Sequence, residues 1–361
     1  DDCFLFLTVR KQVMLIGYIP DKWNFSALKK SVEAERMEAL KHIFIVNPIS
    51  GKADAGLYLV PDLIEAAKRN EIDYEILVTE YPGHAKELAM DFAERLDAVR
   101  IYACGGDGTL NEVTEGVWLS KNPHAEIACV PCGSGNDFIR NFGTQSDFLN
   151  LDALIRGHAV VIDLMRTHRG VSAAICSVGI DADIAYGIPR FRRVPLCGGH
   201  MAYNLSILQR LCGKMGRRML VDLDGRRMEE TLLIATVCNG SYYGGGFCAA
   251  PQADLHDGLL DVILVKKISR VHLAGVLAKY KKGEHIDGTE VAAPYRSIMQ
   301  HYRARHVRIQ PCDGKSAIVN VDGECRREKM LDVQALERAA AFVLPEHLCE
   351  KSKVTAQKAS F

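Results

Sequence analysis

The chain has 361 residues, with 45 lysines plus arginines balanced by 45 aspartates plus glutamates and an apolar fraction of 48%. That length exceeds what one domain normally uses, and the zero net charge removes the basic excess that marks a nucleic-acid partner. Twelve cysteines are scattered singly, unlike a secreted disulfide framework, and no run reaches the ~18 apolar residues of a spanning helix; the expectation is a protein of the reducing cytoplasm.

The start, "DDCFLFLTVRKQVMLIGYIP", holds two short apolar runs divided by Arg10 and Lys11. It lacks the basic-then-apolar order and small-residue cleavage site of a signal peptide. Residues 1–40 therefore read as an N-terminal extension without an assigned role. From Lys41 the pattern alternates: strand "HIFIVNP", helix "GLYLVPDLIEAAKRN", strand "IDYEILVT", helix "GHAKELAMDFAERL", strand "VRIYAC", helix "TLNEVTEGVWL", strand "EIACV". Short apolar strands separated by helices predict an α/β fold, a doubly wound parallel sheet over 41–162 with its ligand beyond the carboxyl ends of the strands. The glycine-rich turns "NPISGK", "GGDGT" and "PCGSGND" all fall at such ends. "CVPC" (Cys129–Cys132) has no second pair and reads as a strand end rather than a zinc site.

After Val161 the texture changes to strand-like runs joined by short turns, among them "SAAICSVGIDADIAY", "EETLLIATVCNG", "LLDVILVKKI" and "SAIVNVDGE". Residues 163–335 are expected to form a second, mainly antiparallel β-sandwich domain. The stretch "ALERAAAFVLP", within 336–361, reads as a strand or helix returning to the first domain.

No GxxxxGK[ST] occurs, and Phe138 fills the third glycine position of a would-be GxGxxG in "GSGNDF". The turns must hold phosphate another way. Backbone N–H groups of a glycine-rich turn that opens a helix make an anion nest. Gly105, Gly106 and Gly108 supply such a nest in "CGGDGTLNEV", and Thr109 adds a hydroxyl. Asp107 would repel a triphosphate unless a magnesium ion stood between them. Alone this loop is equally an Asp-Gly turn, but three such loops at one sheet edge are not coincidental.

The ordered set "NPISG", the threonine of "ILVTEYPGHA", "GGDGTLNEV", "PCGSGND", "PQADLHDGLLDV" and "VDGE" resembles the diacylglycerol kinase catalytic-domain family of lipid kinases, over roughly residues 41–345. The resemblance implies ATP and Mg2+, with Asn47, Pro48, Ile49, Ser50, Gly51, Thr79, Gly105, Gly106, Asp107, Gly108, Thr109, Leu110, Asn111 and Ser134 at the nucleotide. Ser134 stands where the family carries threonine, and Cys132 replaces its usual leucine. Asp107 and Asp137 fall on carboxylate positions near the reacting phosphate. "VDGE" matches the family's base: Glu324, with Asp322 as partner or alternative. Two residues apart, they would share a face of an extended strand, although such a hairpin tip is commonly just solvated. The resemblance also implies a structural magnesium on Asp254, Asp257 and the Leu259 carbonyl, where the residues alone read as an Asp-Gly turn.

The implied substrate is a lipid hydroxyl, diacylglycerol by default; an NAD kinase and a non-catalytic nucleotide- or lipid-binding module are the alternatives. Between Tyr186 and Leu220 stand Arg190, Arg192, Arg193, Arg210, Lys214, Arg217 and Arg218, with no acidic residue, and Met201, Leu205, Leu208 and Leu211 at helical spacing. This segment is either a dock on an anionic membrane or a solvated basic face beside a core helix. No aromatic interleaving favours nucleic acid. Oligomeric state has no signature here, and a homodimer stays an open expectation.

Overall fold

A computed structural model describes residues 5–9, 12–16, 40–51, 55–133, 135–192, 205–206, 209–210, 213 and 215–349. The chain divides into two units, Asp1–Leu40 and Lys41–Phe361. In the first, β1 (Leu5–Val9) and β2 (Gln12–Ile16) pair antiparallel.

In the second unit, β3 (Lys41–Val46), α1 (Ala55–Arg69), β4 (Tyr74–Val78), α2 (His84–Arg95), β5 (Val99–Gly105), α3 (Asp107–Ser120) and β6 (Ala125–Pro131) follow the predicted alternation. The strands are parallel in the order β4-β3-β5-β6. β5 and β6 are buried at every position, which is why they read as near-continuous apolar runs, broken by Arg100 and Glu126, rather than alternating ones. α2 turns Ala85, Ala89, Phe92 and Ala93 inward. It lies close against α3 because Gly116 has no side chain: a Cβ there would strike the Lys86 carbonyl.

Short helices α4 (Gln145–Leu149) and α5 (Leu151–Ile155) lead into β7 (His158–Thr167), β8 (Gly170–Ser172), β9 (Ile175–Gly179) and α6 (Ile180–Arg192). Then come β10 (Arg217–Leu223), β11 (Arg226–Cys238), β12 (Tyr242–Tyr243), β13 (Phe247–Cys248), β14 (Leu260–Lys266), α7 (Arg270–Lys282), β15 (Ile286–Asp287) and β16 (Glu290–Val291). β17 (Met299–Ala304), β18 (His306–Pro311), β19 (Ala317–Val321), β20 (Glu324–Glu328) and β21 (Leu331–Leu344) complete the set. This half is mainly antiparallel, along β20-β19-β9-β11-β10-β18-β21, with β14 between β11 and β17. Met219, Val221 and Leu223 alternate toward one core, while Leu273, Val276 and Tyr280 of α7 cover Ile263 and Val265 on the other side.

The returning apolar stretch is a strand. β21 pairs parallel with β6 (Ala341↔Glu126, Phe342↔Ile127) and antiparallel with β7 and β18, so one continuous sheet joins the two halves. Among the described residues no helix is long and apolar enough to cross a membrane.

The parallel sheet carries one buried charge pair. Arg100 of β5 and Glu126 of β6 meet at 2.8 Å, and the guanidinium also donates to the carbonyls of Leu154 (3.3 Å), Ile155 (2.7 Å) and Gly157 (3.0 Å), where α5 ends. Breaking a buried pair leaves a desolvated charge, which costs about 3–5 kcal/mol, whereas replacing both partners with apolar groups is far milder. Arg100→Met should lose stability of that order in urea unfolding, and adding Glu126→Leu should recover part of it. A fully stable Arg100→Met protein would contradict this account.

Candidate functional site

Three loops at the carboxyl ends of β3, β5 and β6 touch backbone to backbone. A side chain at Gly133 would collide with the Gly106 Cα, and one at Gly51 would reach 2.5 Å from the Cys132 carbonyl oxygen. Asn136, in the left-handed region at φ 49, donates its amide to the Gly105 carbonyl at 2.9 Å. Cys132 and Gly133 donate their N–H groups to that same oxygen at 3.1 and 3.2 Å. Among the nest glycines it is Gly108 whose missing Cβ faces open space.

That space is a cavity of about 310 Å³ lined by Asn47, Pro48, Ile49, Ser50, Thr79, Gly106, Gly108 and Thr109, with Glu80, Tyr81, Pro82, Ala85 and Glu112. Asn47 donates to the Thr109 hydroxyl at 3.0 Å, which leaves that hydroxyl's own proton free for a ligand. Thr79 sits at the end of β4, its N–H bonded to the Val46 carbonyl at 2.9 Å. Gly83 N–H donates to Glu112 at 2.9 Å, closing the α2 entrance onto α3. Leu110 is different: its side chain is buried in the core and its N–H goes to Gly106. Asn111 also turns away from the cavity, with its amide nitrogen toward the Val171 carbonyl (3.2 Å) and Asp322 (3.1 Å). Ser134 lies outside the described residues.

The carboxylates sort by environment. Asp107 opens α3, accepts from the N–H groups of Asp137 (2.9 Å) and Phe138 (3.3 Å), and is pushed up to about 6 by burial, with the charges of Asp137 and Asp322 adding. Asp137 is buried, accepts from Gly245 N–H at 2.6 Å and ion-pairs with Arg140 at 3.2 Å.

The "VDGE" pair departs from the sequence expectation. Asp322 and Gly323 have φ of 44 and 92, and Val321 pairs with Glu324. Asp322 therefore sits in a two-residue hairpin turn of the Asp-Gly kind, not on an extended strand, and the shared-face argument does not apply. Its carboxylate turns inward to the N–H groups of Ala173 (2.8 Å), Ala174 (3.2 Å) and Ile175 (2.8 Å), and burial raises its pKa against those bonds. Glu324 points outward, more than half exposed, 3.4 Å from Arg326.

Asp254 accepts from His256 N–H (3.0 Å) and Nδ1 (2.9 Å). Asp257 accepts from Leu259 N–H at 2.9 Å and ion-pairs with Arg303. These oxygens are occupied by protein donors and do not form a cation cage as they stand, so no step is derived through a metal there. Of the basic segment, Arg210 pairs with Asp183, Arg217 with Asp313 and Arg218 with Glu229, while Arg190 is exposed. Arg193, Lys214, Met201, Leu208 and Leu211 lie outside the described residues, as does the side chain of Arg192. Among the described residues every cysteine is a free thiol, Cys129 and Cys132 included.

Sequence reasoning missed Asn136, Glu112 and the 173–175 amides. Asn136 alone carried a signal, since a non-glycine residue that tolerates the left-handed region inside a glycine loop is typically asparagine.

Residues 41–167 match the model described as "Diacylglycerol kinase catalytic domain", and 174–344 that of the "YegS C-terminal NAD kinase beta sandwich-like domain". Residues 41–167 thus carry a diacylglycerol kinase catalytic domain, and residues 174–344 the C-terminal domain that the second description names. The chain is 27% identical over 311 residues to the diacylglycerol kinase of Bacillus subtilis, covering 85% of this chain and 97% of that one. A probable lipid kinase YegS-like from Shewanella frigidimarina is 28% identical, over 68% and 76% of the two chains. A crystal structure titled as a putative diacylglycerol kinase from Bacillus anthracis superposes with a TM-score of 0.65 at 24% identity, over 84% and 96%, and shares the fold.

Asp107 makes stability depend on pH. Its folded pKa of about 6 stands above the ordinary 3.8, so the folded state holds a proton that the unfolded chain releases. Stability should therefore fall as pH rises from about 4 to about 6. Asp107→Asn removes this term. The variant should be more stable than the parent at pH 7, by on the order of 2 kcal/mol, with the difference gone near pH 4. Thermal unfolding across that range checks it; equal stability at pH 7 would refute the assignment.

Proposed function

We propose that the protein transfers the γ-phosphate of ATP to a lipid hydroxyl, with diacylglycerol as acceptor and phosphatidate as product. The nucleotide half is taken as 41–162, with 336–361 returning to it, and the acceptor half as 163–335. The observation that carries the reading is a buried carboxylate at the first turn of α3, beside a glycine nest that opens on a cavity. A nest and helix N-terminus favour phosphate, whereas a carboxylate there costs stability. Asp137 and Asp322 are hard oxygen donors close enough to Asp107 to raise its proton affinity, which fits a magnesium ion. Asp107 and Asp137 would hold it, and when bound it would neutralise charge between the phosphates and these acids.

In this reading Asn47, Thr109 and the Gly106–Gly108 backbone orient the phosphates. Glu324, exposed and held by one arginine, takes the proton of the attacking hydroxyl. Asp322 positions the hairpin, because its oxygens are spent on three amides and Asn111. The test is transfer of labelled phosphate from ATP to a panel of diacylglycerol, sphingosine, ceramide, undecaprenol and NAD. Label in diacylglycerol is the expected result, and label in NAD alone would replace the reading. Glu324→Gln should lower kcat by about 10²–10⁴, the usual worth of a general base, without changing melting temperature. Asp322→Asn should lower both. The reverse pattern would exchange the two roles.

We also propose peripheral docking on anionic membrane through the basic segment that begins at Arg190. Arg190 and Tyr186 are exposed on α6. Replacing Arg190, Arg192 and Arg193 by glutamine removes charges worth about 1 kcal/mol each near a surface. Binding to phosphatidylserine vesicles should fall and become less salt-dependent, with activity on a short-chain, soluble diacylglycerol retained. Unchanged vesicle binding would mean a merely solvated face.

A further inference from the structure

Two side chains at the candidate nucleotide cavity are unlike the rest of its lining. Ile49, in the loop after β3, is 87% exposed, and Tyr81, in the loop after β4, is 49% exposed. Both line the cavity whose polar end is formed by Asn47, Gly108 and Thr109. Water gains nothing from an isoleucine held open on a loop, and a tyrosine ring half in solvent forgoes burial of its apolar face. Their placement at one cavity is the feature to be explained.

Tyr81 is not a loose surface ring. Its hydroxyl donates to Glu87 at 2.6 Å, from the first turn of α2. One face stacks on His84, with ring centroids 4.5 Å apart and planes 7° from parallel. His84 is held in turn by the Glu80 N–H, which donates to its Nδ1 at 3.1 Å. A ring tethered at its tip and backed on one face is ordered before any ligand arrives. Stacking a planar group on it costs little side-chain entropy, which is what preorganised aromatic contacts contribute.

We infer that Tyr81, backed by His84, is the platform on which the nucleotide base stacks, with Ile49 as the apolar cover from the neighbouring loop. This rests on the reading of the cavity as the ATP site and adds the residues that favour a nucleoside triphosphate over its phosphate chain alone. Tyr81 acts on binding and takes no part in proton or phosphoryl transfer.

The test compares two probes on the full chain, MgATP and magnesium tripolyphosphate, by calorimetry. The phosphate chain is common to both and the base is present in one. Loss of a base–aromatic stack typically costs about 5- to 150-fold in affinity. Tyr81→Ala should weaken ATP by a factor in that range and leave tripolyphosphate unchanged. Tyr81→Phe, which keeps the ring, should bind ATP close to the parent. In turnover, Tyr81→Ala should raise KM for ATP with kcat preserved at saturation, the pattern of lost uniform binding. Undiminished ATP binding by Tyr81→Ala, or equal loss of both probes, would overturn the inference. A parent that binds tripolyphosphate as tightly as ATP would overturn the base platform and leave the phosphate nest standing. A parent that binds neither would overturn the nucleotide reading, and this inference with it.

Discussion

The site depends on one steric constraint: three loop backbones must come within contact distance of one another with no side chains between them. Gly106 and Gly133 face each other, and Gly51 faces the Cys132 carbonyl. The Gly105 carbonyl then accepts from Cys132, Gly133 and Asn136 together. A Cβ on Gly133 would lie 2.4 Å from the Gly106 Cα and push the β5 and β6 loops apart, and with them Asp107 and Asp137, whose link is a single backbone donor reaching one carboxylate. Glycine is used here less to receive a ligand than to let one loop receive another. Gly108 is the position left open toward the cavity.

A second constraint holds the halves of the sheet together. Asp163 on β7 is buried, and its oxygens accept from Gly258 (2.7 Å) and from Arg338 (2.6 Å). Its own N–H goes to the Leu255 carbonyl, and its carbonyl accepts from Asn239. Arg338 has φ 51 at the irregularity between Leu336 and Ala340, where β21 loses register against β7. A bulge leaves an N–H without a ladder partner, and here a carboxylate takes it. β21 can therefore pass from the antiparallel partner β18 to the parallel partner β6 with the Arg338 N–H paired.

Much of this was legible in the sequence, for identifiable reasons. Strands buried on both faces read as near-continuous apolar runs, so β3, β5 and β6 announced themselves despite the Arg100–Glu126 pair, and the glycine-bearing turns after them gather at one edge of the sheet. What failed was inference that assumed a conformation. Treating Asp322 and Glu324 as neighbours on a strand gave too little weight to the hairpin tip that the Asp-Gly pair between β19 and β20 signals. Asn111 was read toward phosphate because it lies in the helix-opening motif, yet its amide bridges to Asp322. Asp163 could not be found at all, because its donors come from residues 258 and 338, and no local pattern encodes contacts so distant in the chain.

The hairpin error is informative about how the acids divide. A carboxylate that accepts three backbone N–H bonds is fixed in direction and has few lone pairs free, so it is suited to holding a turn in place. Its neighbour two residues on, across the turn, keeps its oxygens in solvent and can rotate. The Asn111 bridge then ties the rigid member to α3, the helix that also begins with Asp107. The β19–β20 turn and the glycine nest are thus positioned by one helix, although 211 residues of chain separate Asn111 from Asp322. A protein can bring distant segments to one site through loops or through a rigid element; this one uses the first two turns of α3. Asp107 bears the cost, since the helix start that favours anions also lies deep enough to push its carboxyl toward neutrality.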